Sequence, residues 1–218
     1  MNKGVVGCLI AAAIGMVIVL VLGLGLVFSY NQMVSRNQEV DKQWAQVQNV
    51  YQRRYDLIPN LVATVKGAAS FEKSTLEAVT NARASVGRVQ INPSTAPTNP
   101  QQLAEFEAAQ RGLSGALSRL LVVAERYPDL KATQNFRDLQ VQLEGTENRI
   151  SVERGRFNDA VRSYNTTIKS FPDVLMAGLF GFQPKPYFQA VSGAATPPKV
   201  EFDFSSPPAG AAAAPAQP

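Results

Sequence analysis

Two carboxylates, Glu144 and Glu147, stand three residues apart. On a helix that spacing puts both on one face, where one could hold a proton while the other stays ionised, or both could grip a cation. Asn148 and Arg154 follow them. Far upstream, Arg53, Arg54, Asp56 and Asn60 gather around Pro59. Acid–base or metal chemistry in a helical protein needs more than this. The 218-residue chain has no histidine, so it has no Glu-x-x-His pair of the di-metal carboxylate bundles and no His-based triad. Its one cysteine, Cys8, falls inside the apolar N-terminal run and cannot serve the polar remainder as nucleophile or zinc ligand. No catalytic residue, no metal and no cofactor is expected, and the chain is not expected to be an enzyme.

Two readings remain for these polar groups. One is a buried ion-pair network that fixes helix register, and the other is a groove for a charged ligand or a partner's tail. The formal net charge is +4, with 21 basic and 17 acidic residues. A nucleic-acid surface would show clustered Lys and Arg with interleaved aromatics. No such cluster exists, so no nucleic-acid partner is expected.

The elements that must position these groups are helices. In residues 135–171, Leu143, Ile150, Phe157, Tyr164 and Phe171 recur every seven positions, with Glu147, Arg154, Val161 and Ile168 between them. This alternating seam belongs to a helix packed along its length, ~55 Å at ~1.5 Å per residue. From Tyr30 a second long seam runs through Val40, Trp44, Val47, Tyr51, Arg54, Ile58, Leu61, Val65 and Ala68. Pro59 within it predicts a kink and a freed Tyr55 carbonyl, and Gly67 and Ser70 mark its end. Ser74-Thr75-Leu76-Glu77 has capping-box spacing and predicts a shorter helix with Leu76, Val79, Ala82, Arg83 and Val86 on one side. Residues 91–99 read as a loop. Asn99-Pro100 then starts a third bundle helix, which reaches about Tyr127 with Leu103, Phe106, Leu113, Leu117, Leu120 and Ala124 inward. Pro128-Asp129 breaks it.

Residues 5–28 form an apolar, uncharged run, longer than the ~18 residues that suffice to span a bilayer core. Its length, and small residues placed early rather than late, favour an uncleaved transmembrane anchor over a signal peptide. The positive-inside rule, with Arg36 and Lys42 after the run against Lys3 before it, leans toward a cytoplasmic C-terminal domain, whereas a signal-anchor would insert the other way round. The domain plan is a flank at 1–4, the anchor at 5–28, a helical bundle over 29–190 with an apolar segment at 172–190, and a Pro/Ala-rich disordered tail at 191–218. In the apolar segment, Leu179, Phe180, Phe182, Tyr187 and Phe188 either fold back to cap the bundle or meet lipid or a partner.

The predicted fold is therefore all-α: an N-terminal transmembrane helix followed by an antiparallel up-down four-helix bundle with two long and two shorter helices. If Phe171 returns level with Tyr30, the two long helices run antiparallel and Arg54 faces Glu147. The polar network expected around that pair comprises Arg53, Arg54, Asp56, Asn60, Glu144, Glu147, Asn148 and Arg154, with Asn158 and Asn165 extending it toward the membrane end.

Several stretches carry a family resemblance: RRYDLIPNLVATVKG (53–67), ALSRLLVVAERYPDLKA (116–132), LEGTENRISVERGRFNDAVRSYN (143–165), Phe171-Pro172 and GLFGF (178–182). Together with Tyr30-Asn31 they resemble the LemA family in order, over about residues 30–204. The resemblance implies a bacterial inner-membrane protein with one N-terminal span and a helical domain, and it brings no catalytic residues. It also implies an adaptor role beside an unknown membrane or envelope protein, with membrane zinc proteases and TPM-domain proteins as candidate partners. The leading expectation is a membrane-anchored, non-enzymatic adaptor or scaffold. The alternatives are a ligand-sensing or transport-accessory module using the Arg54/Glu147 line, and a self-associating, membrane-shaping protein.

Overall fold

The computed structural model describes residues 3–67 and 72–189. Every regular element among them is a helix: α1 Lys3–Lys66, α2 Lys73–Arg88, α3 Pro100–Ala124, α4 Pro128–Ala132, α5 Gln134–Lys169 and α6 Asp173–Phe180. Ala68, Ser70 and the tail expected over 191–218 lie outside the described residues.

The anchor and the first bundle helix, expected as separate elements, are one continuous helix. No proline or glycine occurs between positions 26 and 58, and nothing in that stretch stops the backbone ladder. The two parts of α1 differ in cover. Ile14 through Phe28 expose their apolar side chains, Phe28 at 73 %, whereas Met33, Val40, Trp44 and Val47 are fully buried. Pro59 sits inside α1 without ending it. The Tyr55 carbonyl that this proline frees receives a long contact from Arg83 Nε of α2 at 3.5 Å, and the Arg83 guanidinium lies 3.8 Å over the Tyr55 ring.

Side-chain pairs fix the helix directions. Arg54 of α1 meets Glu147 of α5, and Ser29 meets Asp173 just beyond the end of α5, so α1 and α5 run antiparallel. Glu107 of α3 meets Arg154 of α5, which with the pairing of Arg54 to Ser114 makes α3 parallel to α1 and antiparallel to α5. Arg83 of α2 meets Tyr55, and Trp44 Nε1 donates to the Asn92 carbonyl past the end of α2 at 2.9 Å, so α2 is antiparallel to α1.

Local chemistry explains most boundaries. The Asn99 side chain caps α3 by accepting from Gln101 N at 2.8 Å, with Pro100 at the first position, an arrangement that satisfies an orphan amide where proline lacks one. α3 ends at Ala124, short of Tyr127. Instead of only breaking the chain, Pro128 opens the one-turn α4. α2 starts at Lys73 and not at a Ser74 cap. Glu72 is its N-cap and makes no side-chain cap bond; Thr75, expected inside the capping box, is buried in the first turn with its hydroxyl on the Glu72 carboxylate. α5 stops at Lys169, so Phe171 does not continue the seam and is 82 % exposed. The cause is Pro172, since a residue that precedes proline is driven out of helical conformation. Gly181 then stops α6 in the left-handed region at φ 74°, with Phe182 N bonded to the Ala177 carbonyl at 2.9 Å. That stop is a Schellman-type turn, which a side chain would strain.

Candidate functional site

Two cores line the bundle. One is aromatic and holds Trp44, Tyr51, Phe106, Phe157, Tyr164 and Phe188. The other is aliphatic, with Ile58, Leu61, Leu113, Leu117, Leu120 and Leu143. A polar layer lies between them.

Arg54, 1 % exposed, is the centre of that layer. Its Nη1 donates to Glu147 Oε1 at 2.6 Å and to Ser114 Oγ at 2.8 Å, and its Nη2 donates to Gln110 Oε1. Its guanidinium carbon also lies 5.1 Å from the Tyr51 ring centroid. Two turns along α5 toward the aromatic core, Arg154 Nη2 donates to Glu107 Oε1 at 2.6 Å and stacks 4.6 Å over Phe188. Each cation is thus opposed by a carboxylate and hydrogen-bonded, the condition under which charge is tolerated in a helical interior. Burial raises the pKa of the nearby Tyr51 phenol above its usual value, and that outweighs the opposing pull of Arg154 and Arg54.

Arg53, Asp56, Asn60, Glu144 and Asn148, expected in the buried network, are exposed. With ~100° between successive helical residues, an inward Arg54 turns Arg53 and Asp56 toward water. Asp56 accepts from Gln52 at 2.7 Å and Glu144 from Gln140 at 3.0 Å, each along its own helix; the Asn60 carbonyl accepts from Thr64. Glu144 and Glu147 flank a shallow groove of about 450 Å³ with Ser114 and Asn148, but only Glu147 turns to the core cation. The α3 members of the layer (Ser114, Gln110 and Glu107) were not foreseen. Gln110 continues the three-four spacing of Leu103, Phe106, Leu113 and Leu117, so a polar residue at a seam position was the available signal.

The segment after α6 forms a second polar arrangement. Asn165 Nδ2 donates to the Lys185 carbonyl while Lys185 N donates to Asn165 Oδ1, both at 2.9 Å. Asn158 repeats this two-way clamp on Phe188, at 3.0 and 2.9 Å. Seven helical residues advance ~10.5 Å and three extended ones about as far, so asparagines a heptad apart match backbone positions three apart. Two residues before the first clamped position, the Gln183 carbonyl accepts from Tyr164 OH at 3.0 Å, and burial, reinforced by Asp41, pushes the Tyr164 pKa up. Lys185, 5 % exposed, reaches Asp41 Oδ1 at 2.8 Å; the same oxygen accepts from Ala96 N at 2.9 Å. Phe188 is 5 % exposed and packs on Phe157 and Trp44, which corrects its assignment to a lipid or partner contact. Phe182 is half-buried with its ring 5.9 Å from Tyr30, Tyr187 is 40 % exposed, and Leu179 and Phe180 are exposed. Among the described residues no group of three or more Cys, Asp or Glu is placed to hold a metal ion.

The sequence model of the LemA family matches residues 43–202, which take in the lower part of α1, the polar layer and both asparagine clamps. The chain belongs to the LemA family. Magnetosome protein MamQ 2 of Paramagnetospirillum magneticum is 24 % identical over 187 aligned residues, covering 79 % of this chain and 69 % of the relative. Magnetosome protein MamQ of Magnetospirillum gryphiswaldense is 23 % identical with the same coverage. Protein LemA of Metamycoplasma hominis is 23 % identical over 141 residues, 65 % of this chain and 60 % of that protein. Among the described residues this LemA-family chain is all-helical, and α1 contains an apolar stretch long enough to cross a membrane.

Proposed function

We propose that this LemA-family chain is a single-pass, membrane-anchored, non-enzymatic adaptor or scaffold in a bacterial cell membrane, holding another membrane or envelope protein. The observation that carries this reading is the continuity of α1 from Lys3 to Lys66. A helix that leaves the apolar stretch and enters the core without a linker transmits position and orientation, and a scaffold needs both. The groups that could have done chemistry support the same reading. Arg54 gives both terminal nitrogens, and Arg154 its Nη2, to partners within the bundle, and histidine is absent from the whole chain. The relatives' name, magnetosome protein, gives a location and no reaction. Membrane proteases and TPM-domain proteins are the partners that the family resemblance puts first.

The test is photocrosslinking in intact cells from Val152 on the exposed face of α5, which is 52 % exposed, with Val122 on α3 as a second probe. A scaffold gives a discrete adduct with a membrane or envelope protein from one face, and that protein used as bait recovers this chain. Adducts only with lipid and with other copies of the chain, from both faces, would contradict the reading.

A further inference from the structure

α6 is apolar on two faces, and the protein covers one of them. Ala177 is buried and Met176 packs against the aromatic core. The opposite face carries Val174, Leu175 and Leu179, at 43, 66 and 75 % exposed, with Phe171 just before the helix at 82 %. Within α6, positions 174, 175 and 179 follow the spacing of a single helical stripe. Gly178 lies in the same stripe with open space beside it.

The place of this stripe in the fold points to its occupant. α6 is tied to α1 where the apolar run ends. Ser29, which follows Phe28, donates to Asp173, and the Tyr30 and Phe180 rings pack edge to face with their centroids 4.9 Å apart. The stripe is thus continuous with the exposed apolar side chains of α1 between Ile14 and Phe28. The only carboxylate of α6, Asp173, is turned to Ser29. The exposed cations Arg36 and Lys169 stand on the bundle side of the stripe, and Tyr30, Phe171 and Phe180 ring the junction. Aromatics at the boundary with cations just beyond are the arrangement that suits the headgroup level of a bilayer.

We infer that the outward face of α6, with Phe171, seats in the headgroup–acyl boundary of the bilayer that α1 crosses. This rests on the reading of the apolar part of α1 as a membrane span. Two attachments, one through the bilayer and one along its surface, restrain the tilt of the bundle as a lone span would not.

The full chain carrying Leu179→Trp, reconstituted in vesicles of phosphatidylethanolamine and phosphatidylglycerol with brominated acyl chains, tests the seat by fluorescence quenching. Phe28→Trp reports the span itself, Val141→Trp reports a surface far from it, and the buried Trp44 is a background common to all. The inference predicts that emission from position 179 falls by about half, as it does from position 28, while position 141 is unaffected. Quenching at 28 without quenching at 179 would overturn the seat and leave the span standing. A blue-shifted, unquenched signal at 179 would overturn it too, since a protein and not lipid would then cover α6. An unquenched signal at position 28 would overturn the span reading, and the seat with it.

Discussion

The same two long helices are held together in different ways at their two ends. In the aliphatic half, α1 and α5 meet through Ile58, Leu61, Leu139 and Leu143, with leucines of α3 filling the space between. In the aromatic half the side chains are larger and tied down. Trp44 donates to Asn92, Tyr164 donates to Gln183, and two asparagines of α5 hold an extended segment that supplies Phe188. One half needs only side chains of suitable size, whereas the other needs a distant stretch of chain in register. The aromatic half is therefore the more specific of the two, and the more exposed to loss of a single polar contact.

Stability measurements on the full chain in detergent separate the halves. Trp44→Ala is expected to cost the most, ~4–5 kcal/mol, because it empties the centre of the aromatic core and removes a buried hydrogen bond. Leu120→Ala, fully buried in the aliphatic core, is expected to cost ~3 kcal/mol. Chemical denaturation followed by far-ultraviolet circular dichroism measures both, and equal costs would erase the distinction. Asn165→Ala comes next, at ~2 kcal/mol, because it strands both backbone groups of a buried Lys185. Hydrogen exchange should rise over residues 182–188 in that variant and stay unchanged around Leu120. Asn99→Ala removes one exposed cap bond and is expected to cost ~1 kcal/mol, with fraying confined to the start of α3.

The smallest effect is a matter of pH. Burial raises Tyr51 and Tyr164 above the ordinary phenol value of 10.0. Below pH 10.0 both phenols are neutral in the folded and unfolded chain, and their contribution is fully present. As pH rises past that value the unfolded chain loses its protons first, so stability falls until the folded-state values are passed. Both tyrosines belong to the aromatic half, so alkaline loosening should appear there first, read as amide exchange corrected for intrinsic rates.

What the sequence disclosed differs in the same way between these regions. Heptad spacing exposed the α1 and α5 seams, and placing Phe171 level with Tyr30 set a register in which Arg54 faces Glu147, the pair now seen at 2.6 Å. The inward apolar residues of α3 were legible for the same reason. Gln110 and Glu107 share that inward face but carry polar side chains, which an apolar pattern does not register. The segment after α6 was illegible for a different cause: a non-helical segment has no periodicity against a helix, and its partners Asp41, Asn158 and Asn165 lie at sequence distances that nothing local encodes. Phe171 illustrates a conflict between signals, since the seam predicted burial while the proline after it ended the helix. The eight-residue α6 is too short to stand out by pattern and is held by its contacts with α1 and α5.

The claim on which both halves depend is that α1 and α5 are locked in antiparallel register through Arg54 and Glu147. A double-mutant cycle with Arg54→Met and Glu147→Met tests it most directly. The pair is buried on one side only, with Glu147 42 % exposed, so a coupling of ~1.5 kcal/mol is expected, the double variant being more stable than the sum of the single losses implies. Losses that add to within ~0.3 kcal/mol would show that the two charges do not meet, and the register would be wrong.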